Sequence, residues 1–218
     1  IATPSPSREE TATGDLIASY LQEHGFTPHR AANNVWAIAP DFVAGRPTLL
    51  LNSHHATVKP VEGWNGEAFV PREEDDRIYG LGSNDAGASL VSLLQTFLVL
   101  ADKPQPYNLI FLASAEEEVS GKNGVALALK ELPPITFGVV GEPTGMRPAM
   151  GEKGLMVLDC TVMGRSGHAA RNEGVNAIYE ALTIIEQFKK FSFPKVSRML
   201  GPVKLTVTQI KAGTQHNV

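Results

Sequence analysis

The sequence predicts an α/β protein with a mostly parallel sheet and helices on both faces, followed by a small α+β domain. Three nearly uninterrupted apolar runs, residues 48–52, 109–113 and 137–140, are typical of strands covered on both faces. Helical patterns at residues 86–100 and 123–132 separate these runs. Because strands that alternate with helices usually lie parallel, this order favours a layered α/β domain.

The residues before the first apolar run predict one helix and one strand. Residues 7–10 read Ser-Arg-Glu-Glu and fit a capping box that opens a helix. The apolar face of this helix consists of Leu16, Ile17, Tyr20 and Leu21. Gly25 is a natural end for the helix, and residues 34–39 are typical of a short strand.

The pattern changes after Gly151 and predicts a second, smaller domain. Strand-like segments at residues 155–163 and 203–210 flank a helix expected at residues 175–191. We therefore divide the chain into a larger domain, residues 1–150, and a smaller one, residues 151–218. Two strands and one helix are thin for a stable domain, so we expect the chain to be part of a longer protein.

Composition and charge narrow the classes of partner. The formal net charge is −4 and the basic residues are scattered, so nucleic acid and anionic membranes are not expected as partners. No apolar run approaches the roughly 20 residues of a membrane-spanning helix. The single cysteine, Cys160, excludes an internal disulfide and fits the cytoplasm. Cys160 lies in a strand-like run, so we expect its thiol to be buried.

One histidine and several carboxylates lie where predicted strands end or a predicted helix begins. These residues are His54, Asp85, Glu116, Glu117, Glu118 and Glu142. Functional groups gather beyond the carboxyl ends of parallel strands, so we expect these side chains to share one site. An imidazole with several carboxylates is the ligand set of a hydrolytic metal centre, with zinc as the expected metal.

Each of these residues also has an ordinary structural explanation. Asp85 fits a helix N-cap, and residues 116–118 fit a solvated charged loop. His55 is expected on the opposite face of its strand in a structural role. The turn at residues 80–82 resembles part of a dinucleotide-binding fingerprint, but the third glycine and the later acid are not correctly placed. Taken together, the placement at strand ends favours a metal site.

Five motifs, in order, resemble a zinc aminoacylase and carboxypeptidase family that includes acetylornithine deacetylase and succinyl-diaminopimelate desuccinylase. The motifs are residues 50–58 (LLNSHHATV), 79–85 (YGLGSND), 115–118 (AEEE), 141–144 (GEPT) and 164–168 (GRSGH). The resemblance covers essentially the whole chain. The local sequence around His54, Asp85 and Glu142 is most similar to that of acetylornithine deacetylases, including relatives that act on N-succinylated substrates.

The resemblance implies two zinc or cobalt ions in each subunit. His54 and Glu142 would hold one ion, and Asp85 would bridge to the second. Glu118 would hold that second ion. Glu117 would be the general base that takes a proton from the attacking water.

The resemblance also implies roles for the second domain, residues 151–218, as a lid and as the contact of a homodimer. His168 would reach the active site of the neighbouring subunit and stabilise the developing oxyanion. Arg165, Arg171 and Asn217 are candidates for binding a substrate carboxylate, although arginines near a domain junction are more often in surface ion pairs.

The sequence departs from the family pattern in two ways. Ala56 stands where the His-x-Asp motif has an aspartate that orients the zinc-binding imidazole, a loss expected to cost about 10–100-fold in metal affinity or activity. The second departure concerns another histidine ligand, which belongs to a later part of the catalytic domain that this chain lacks. His216 is not a substitute for it.

The expected function is metal-dependent hydrolysis of the amide bond of an N-acyl amino acid. N-acetylornithine or N-succinylornithine is the expected substrate, in arginine biosynthesis. Within the same family, succinyl-diaminopimelate desuccinylase or dipeptidase activity is the alternative. In a different class, the chain is a catalytically inactive fragment or homologue that retains dimerisation and weak metal binding, a hypothesis that Ala56 and the expected missing C-terminal portion both favour.

Overall fold

A five-stranded mixed sheet forms the centre of residues 1–146 in the computed structural model, which describes residues 1–171 and 173–213. Among these residues the strands are β1 (His29–Ala31), β2 (Asn34–Ile38), β3 (Thr48–His54), β4 (Arg72–Glu74), β5 (Arg77–Tyr79), β6 (Asn108–Ser114), β7 (Phe137–Val140), β8 (Val196–Ser197) and β9 (Gly201–Pro202). The helices are α1 (Thr11–Glu23), α2 (Ala88–Ala101), α3 (Val125–Ala128) and α4 (Ala177–Lys190). The central sheet has the order β1-β2-β6-β3-β7.

The parallel part of this sheet consists of three strands. β3 lies parallel to β6 and to β7, with Leu51 opposite Phe111 on one side and Val139 on the other. β2 runs antiparallel to β6, and β1 antiparallel to β2. Only Ala32 and Asn33 join β1 to β2, and so short a connection cannot cross over to make a parallel pair. The α/β fold is confirmed, and the sheet is more mixed than the mostly parallel one predicted.

Helices cover both faces of the sheet, as the apolar runs predict. Every residue of β6 is buried, and successive strand residues face opposite sides. One face packs against α1 and α2. Its core comprises Ile17, Leu21, Val35, Leu51, Leu94, Phe97, Leu109 and Phe111. The other face packs against α3 and the turn that follows it. Its core comprises Trp36, Leu50, Ile110, Leu112, Ala128 and Leu132.

The N-terminal capping box is not formed. α1 begins at Thr11, later than predicted, and the buried hydroxyl group of Ser7 has no hydrogen-bond partner. The carboxylate of Glu10 instead accepts a hydrogen bond from the backbone N–H of Glu116, far along the chain. This long-range contact outcompetes the local cap, and a local motif cannot reveal it. α3 is also shorter than predicted and continues only as turns.

The second compact unit comprises Arg147–Val218. Its helix α4 confirms the predicted helix and begins with Asn176, whose side chain accepts a hydrogen bond from the N–H of Ile178 at 2.9 Å. The predicted strands at residues 155–163 and 203–210 are wrong, since neither segment pairs with another strand. A strand needs a partner to satisfy its backbone N–H and C=O groups.

Exposure follows from this missing pairing. Leu155 is 90% exposed, and the thiol of Cys160 is exposed rather than buried as predicted. Residues 155–163 have the local sequence pattern of a strand, but they join none of the sheets in the described part of the chain. The division of the chain falls between Met146 and Arg147. The domain roles assigned from the resemblance stay predictions.

One stretch differs from the expectation about membrane spans. Residues Ser83–Ala101 comprise an irregular turn at residues 83–87 followed by α2, and with a mean hydropathy of 1.2 over 19 residues they are long and apolar enough, by length and composition only, to cross a membrane. Leu94 and Phe97 of this stretch are buried against the central sheet. Packing against the sheet accounts for part of this apolar character, since Val91 and Val99 on the same helix are 60% and 63% exposed.

Candidate metal centre

His54 is the last residue of β3 and the most buried member of the centre, with 1% of its surface exposed. Its Nδ1 atom lies 2.7 Å from the carbonyl oxygen of Ala56. Because a carbonyl oxygen only accepts hydrogen bonds, Nδ1 carries a proton and donates it there. The imidazole is thereby fixed with Nε2 facing the carboxylates. A backbone oxygen performs the orienting task for which the family pattern has an aspartate at position 56.

Four carboxylates surround this imidazole. The Nε2 atom of His54 lies 3.0 Å from Oδ1 of Asp85 and 3.6 Å from Oε2 of Glu142. The same nitrogen lies 3.7 Å from Oε2 of Glu117. Two groups of three residues have ligand atoms within 4.8 Å of one another. They are His54 with Asp85 and Glu142, and His54 with Glu117 and Glu118.

Strand pairing brings two of these residues together. β3 and β7 are parallel, with Asn52 opposite Val140, so both strands end at the same edge of the sheet. Glu142 follows directly, and Gly141 holds the turn because its N–H donates to the carbonyl oxygen of Asn52 at 2.8 Å. A Cβ atom at Gly141 would lie 2.8 Å from Cβ of Ser89 and 2.8 Å from Cδ1 of Leu93, so a larger residue would force a shift of α2 or of the turn.

Asp85 lies in an irregular turn, Ser83–Gly87, between β5 and α2. Gly82 opens the turn with φ +74°, a left-handed conformation that suits glycine. Asp85 itself has φ −111° and ψ 100° and is joined to Ala86 by a cis peptide bond. The N-cap position of α2 is occupied by Gly87 rather than by Asp85, so the N-cap explanation of Asp85 is wrong.

The charges at the centre shift several pKa values. Burial lowers the pKa of His54, but the charge of Glu142, the carbonyl of Ala56 and the carboxylate of Asp85 raise it more, so the net pKa is above the ordinary 6.5. Burial raises the pKa of Glu142, and although His54 opposes this shift, the Glu117 carboxylate adds to it. The raised pKa of Glu142 shows that repulsion among the carboxylates and burial together outweigh the attraction of His54.

The pKa of Glu118 is raised in the same way. Burial is the largest cause, and repulsion from Asp85 adds to it.

This donor set fits a divalent cation. An imidazole nitrogen and carboxylate oxygens are ligands that zinc and similar metals accept. A cation at Nε2 of His54 would replace the proton there and relieve the repulsion among the acids. The first triad, with Asp85 and Glu142, matches the ligands that the resemblance implies for one ion. A single Nε2 atom binds one ion only, so a second ion beside Glu118 would draw on Asp85 instead.

A cavity of about 310 Å³ adjoins the carboxylates. Asp85 and Glu118 line it on the side of the centre, and Val58 and Trp64 contribute apolar surface. The cavity therefore offers room for a small organic group beside the acids.

Glu116 and His55 face away from the carboxylate cluster. The Glu116 side chain is buried and accepts hydrogen bonds from Asn123. His55 lies 2.9 Å from the hydroxyl group of Thr13 through Nδ1 and 2.9 Å from the carbonyl oxygen of Asn33 through Nε2. Sequence reasoning placed Glu116 in the shared site, which the structure contradicts, and it did not single out Glu10, whose carboxylate accepts a hydrogen bond from the backbone N–H of Glu116. In the sequence, the available signal for Glu116 was its position directly before Glu117 and Glu118.

The remaining predicted site residues belong to the second unit. Arg165 forms a bridge with Val175 through two backbone hydrogen bonds of 3.0 and 2.8 Å. Nδ1 of His168 accepts a hydrogen bond from the N–H of Ala170. An exposed ion pair of 3.8 Å joins Arg171 to Glu173, which is the alternative that the sequence left open. Asn217, like His216, lies outside the described residues.

Known proteins share sequence with nearly the whole chain. A succinyl-diaminopimelate desuccinylase of Delftia acidovorans is 28% identical over 98% of this chain and 61% of its own length. An acetylornithine deacetylase of Proteus mirabilis is 29% identical over 84% of this chain and 51% of its own length. A probable carboxypeptidase of Emericella nidulans is 28% identical over 100% of this chain and 57% of its own length. The chain thus spans about 51–61% of the length of these curated relatives.

Solved structures and a family profile agree with these relatives. A tripeptidase from Staphylococcus aureus superimposes with a TM-score of 0.61 at 20% identity, covering 98% of this chain and 59% of the tripeptidase, so the two share a fold. The profile of the peptidase family M20/M25/M40 matches residues 50–211, which is more than half of the chain. This chain is therefore a member of the peptidase family M20/M25/M40.

Proposed function

We propose that the full-length protein is a metal-dependent hydrolase that cleaves the amide bond of an N-acyl amino acid. The single observation that carries the proposal is the convergence of one oriented imidazole, His54, with four carboxylates at one edge of the sheet. The names of the relatives, desuccinylase, deacetylase and carboxypeptidase, all describe hydrolysis of an amide bond and support the same reaction class.

The proposed ligand roles are those that the resemblance implies, and the distances among the side chains support them. His54, Asp85 and Glu142 form one ligand set, and Glu118 with Asp85 would contribute to a second. Zinc or cobalt fits this mixture of nitrogen and oxygen donors. When bound, such cations polarise a carbonyl oxygen and lower the pKa of water.

Glu117 is the proposed general base. Its Oε2 atom faces the same Nε2 atom as the other acids, and about half of its side chain is exposed, so water reaches it. In the proposed reaction its carboxylate takes a proton from the attacking water and passes it to the departing amine. Glu118, by contrast, is the proposed ligand of the second metal ion.

The substrate class is proposed from the cavity and the relatives. A cavity of about 310 Å³ beside Asp85 and Glu118 suits a short acyl group such as acetyl or succinyl. N-acetylornithine or N-succinylornithine is the proposed substrate, in arginine biosynthesis. N-succinyl-diaminopimelate is the alternative, which the similarity to the succinyl-diaminopimelate desuccinylase of Delftia acidovorans supports.

The second unit has proposed roles as a lid and as a homodimer contact in the cytoplasm. His168 of a second subunit would donate a hydrogen bond to the carbonyl oxygen of the substrate as negative charge develops there. Arg165, Arg171 and Asn217 remain candidates for binding the substrate carboxylate.

Ala56 was one of the two features that favoured the alternative of an inactive fragment or homologue. The carbonyl oxygen of Ala56 accepts the hydrogen bond from His54, which supplies the orientation that the aspartate would give. This observation favours a functional centre over a dead one.

The test uses the full-length protein supplied with zinc or cobalt. It should release amine from N-acetylornithine, N-succinyl-diaminopimelate or a dipeptide, and the panel should identify the preferred acyl group. Glu117→Gln should lower kcat by roughly 10²–10⁴-fold, the usual contribution of a general base. Glu131→Gln, an exposed acid beyond α3, is the matched control and should retain activity. Absence of turnover with every member of the panel would contradict the proposal.

A further inference from the structure

Glu10 is a fully buried acid outside the carboxylate cluster. It immediately precedes α1 and has no exposed surface. A buried carboxylate is costly unless hydrogen bonds satisfy it. Its Oε1 atom accepts from the backbone N–H of Glu116 at 2.8 Å, and its Oε2 atom accepts from Nδ2 of Asn33 at 3.0 Å. Both oxygens are thus committed to neighbours that are distant in sequence.

These hydrogen bonds keep Glu10 ionised. Burial alone raises its pKa, but the N–H groups of Glu116, Arg8 and Glu10 itself, with Asn33, lower it more. The net pKa is below the ordinary 4.5. An ionised acceptor makes a stronger hydrogen bond to a backbone N–H than a neutral one.

The residue that Glu10 holds is the first of the acidic triplet. Glu116 adopts a left-handed conformation with φ 54°, which is uncommon for a residue other than glycine. Surroundings that make such a conformation the only compatible one are needed to maintain it. The N–H of the preceding residue, Ala115, is held as well, by Oδ1 of Asn34 at 3.0 Å. Two consecutive N–H groups are therefore fixed by side chains from elsewhere.

The other side of Glu116 closes the same loop. Its carboxylate accepts from the backbone N–H of Asn123 at 3.2 Å and from the side-chain amide of Asn123 at 3.0 Å. Its carbonyl oxygen accepts from the N–H of Gly121 at 2.9 Å. The segment from Glu116 to Asn123 is therefore a closed loop whose entry is anchored to Glu10. Glu117 and Glu118 are the two residues directly after that anchor.

We propose that Glu10 is a positioning residue, which acts through the backbone of Glu116 to aim Glu117 and Glu118 at the metal centre. The inference rests on the proposed function of those two glutamates. It adds a residue from the segment before α1 to a centre whose other members lie between His54 and Glu142 in the chain. Removing a partner that orients a metal ligand typically lowers metal affinity or activity by about 10–100-fold.

Two substitutions distinguish the effect of the length of the Glu10 side chain from the effect of its charge. Glu10→Asp retains the charge but is one methylene shorter and cannot span the distance to the N–H of Glu116. Glu10→Gln retains the length and one acceptor oxygen for that N–H. We expect Glu10→Asp to weaken cobalt binding, measured by chelator competition, by about 10–100-fold and to alter the visible spectrum of the bound cobalt. Glu10→Gln should retain more of both.

Asn108→Ala is the matched control. Asn108 is also a buried polar residue that holds a loop, through hydrogen bonds to both backbone groups of Val43, but it lies at the opposite end of β6. It should destabilise the protein without changing the cobalt spectrum. Equal loss of affinity in Glu10→Asp and Asn108→Ala would overturn the proposal, because it would indicate general destabilisation.

Hydrogen exchange in the metal-free chain tests the anchor independently of the proposed function. The N–H of Glu116 should exchange faster in Glu10→Asp than in the unmodified chain, and Asn108→Ala should leave its exchange unchanged. Unchanged exchange in Glu10→Asp would overturn the anchor even if cobalt binds. If the unmodified full-length protein binds no cobalt, the proposed function fails, and the exchange rates still decide whether Glu10 fixes the loop.

Discussion

The carbonyl oxygen of Ala56 lies 2.7 Å from Nδ1 of His54 and orients that imidazole without a carboxylate. The hydrogen bond joins residues two apart, so the turn after β3 provides it directly. Position 56 therefore has a backbone solution to a task that the family pattern assigns to a side chain. Because Nδ1 of His54 has this partner, we do not expect the loss of about 10–100-fold that an absent orienting partner would cause.

We predict that Ala56→Asp gains little metal affinity. Nδ1 already has an acceptor, and Ala56 is 1% exposed, so a new carboxylate would be buried beside it. The change in cobalt affinity, measured by chelator competition, should be less than about tenfold, below the upper range for such partners. A gain of about 100-fold would show that the carbonyl is a poor substitute for the carboxylate.

His54 belongs to both triads, so we predict that its substitution lowers metal affinity more than substitution of a carboxylate that belongs to one triad. His54→Ala should lower cobalt affinity by more than about 100-fold, beyond the range of residues that only orient a ligand. Glu142→Gln and Glu118→Gln each remove one member of a different triad and should each retain some binding. The stoichiometry and affinity from titration of the metal-free protein measure the difference.

The neighbouring imidazole is the control for that series. His55 contacts Thr13 and Asn33 rather than the carboxylates. His55→Gln should therefore bind cobalt with the affinity of the unmodified protein. Comparable losses from substitution of either histidine would contradict the assignment of His54 as the sole imidazole ligand of the described residues.

Metal binding should release protons. The raised pKa of His54 means that Nε2 retains a proton to a higher pH than the ordinary 6.5. A cation must displace that proton, so affinity should rise as the pH increases through the pKa of His54 and then level off. Calorimetric titration in buffers of different ionisation enthalpy measures the number of protons released. A pH-independent affinity without proton release would contradict this link.

Local patterns revealed the strands and their ends. β3 and β6 are read from continuous apolar runs because both of their faces are covered. The meeting of His54 with Glu142 follows from parallel pairing, since β3 and β7 end at one edge. These features depend on residues close in sequence and on the general geometry of sheets.

Other features depend on partners that no local pattern specifies. Glu10 and Glu116 are 106 residues apart, so no local pattern reveals their contact. From the neighbouring residues alone, Glu10 fits a capping box and Glu116 fits a solvated loop. Residues 155–163 have the apolar character of a strand but gain no ladder among the described residues. Burial and pairing are decided by the three-dimensional neighbours, which explains why these two expectations differ from the structure.

His55 predicts how the stability of the metal-free protein depends on pH. Burial is the main cause of its lowered pKa, only partly opposed by the hydrogen bond to Asn33, so the folded protein holds a neutral imidazole below the ordinary 6.5. Between the lowered pKa and 6.5 the unfolded chain binds more protons than the folded one, so the free energy of unfolding decreases as the pH falls through this window.

His55→Gln removes the titrating group while retaining a donor for Asn33 and an acceptor for Thr13. Urea unfolding from about pH 7.5 to about pH 5.5 should therefore show a smaller loss of unfolding free energy in the variant than in the unmodified protein. Other acids and His54 titrate in both proteins, so the difference between the two curves is the informative quantity. Parallel curves would show that His55 has the same pKa folded and unfolded, contrary to its burial between α1 and the sheet.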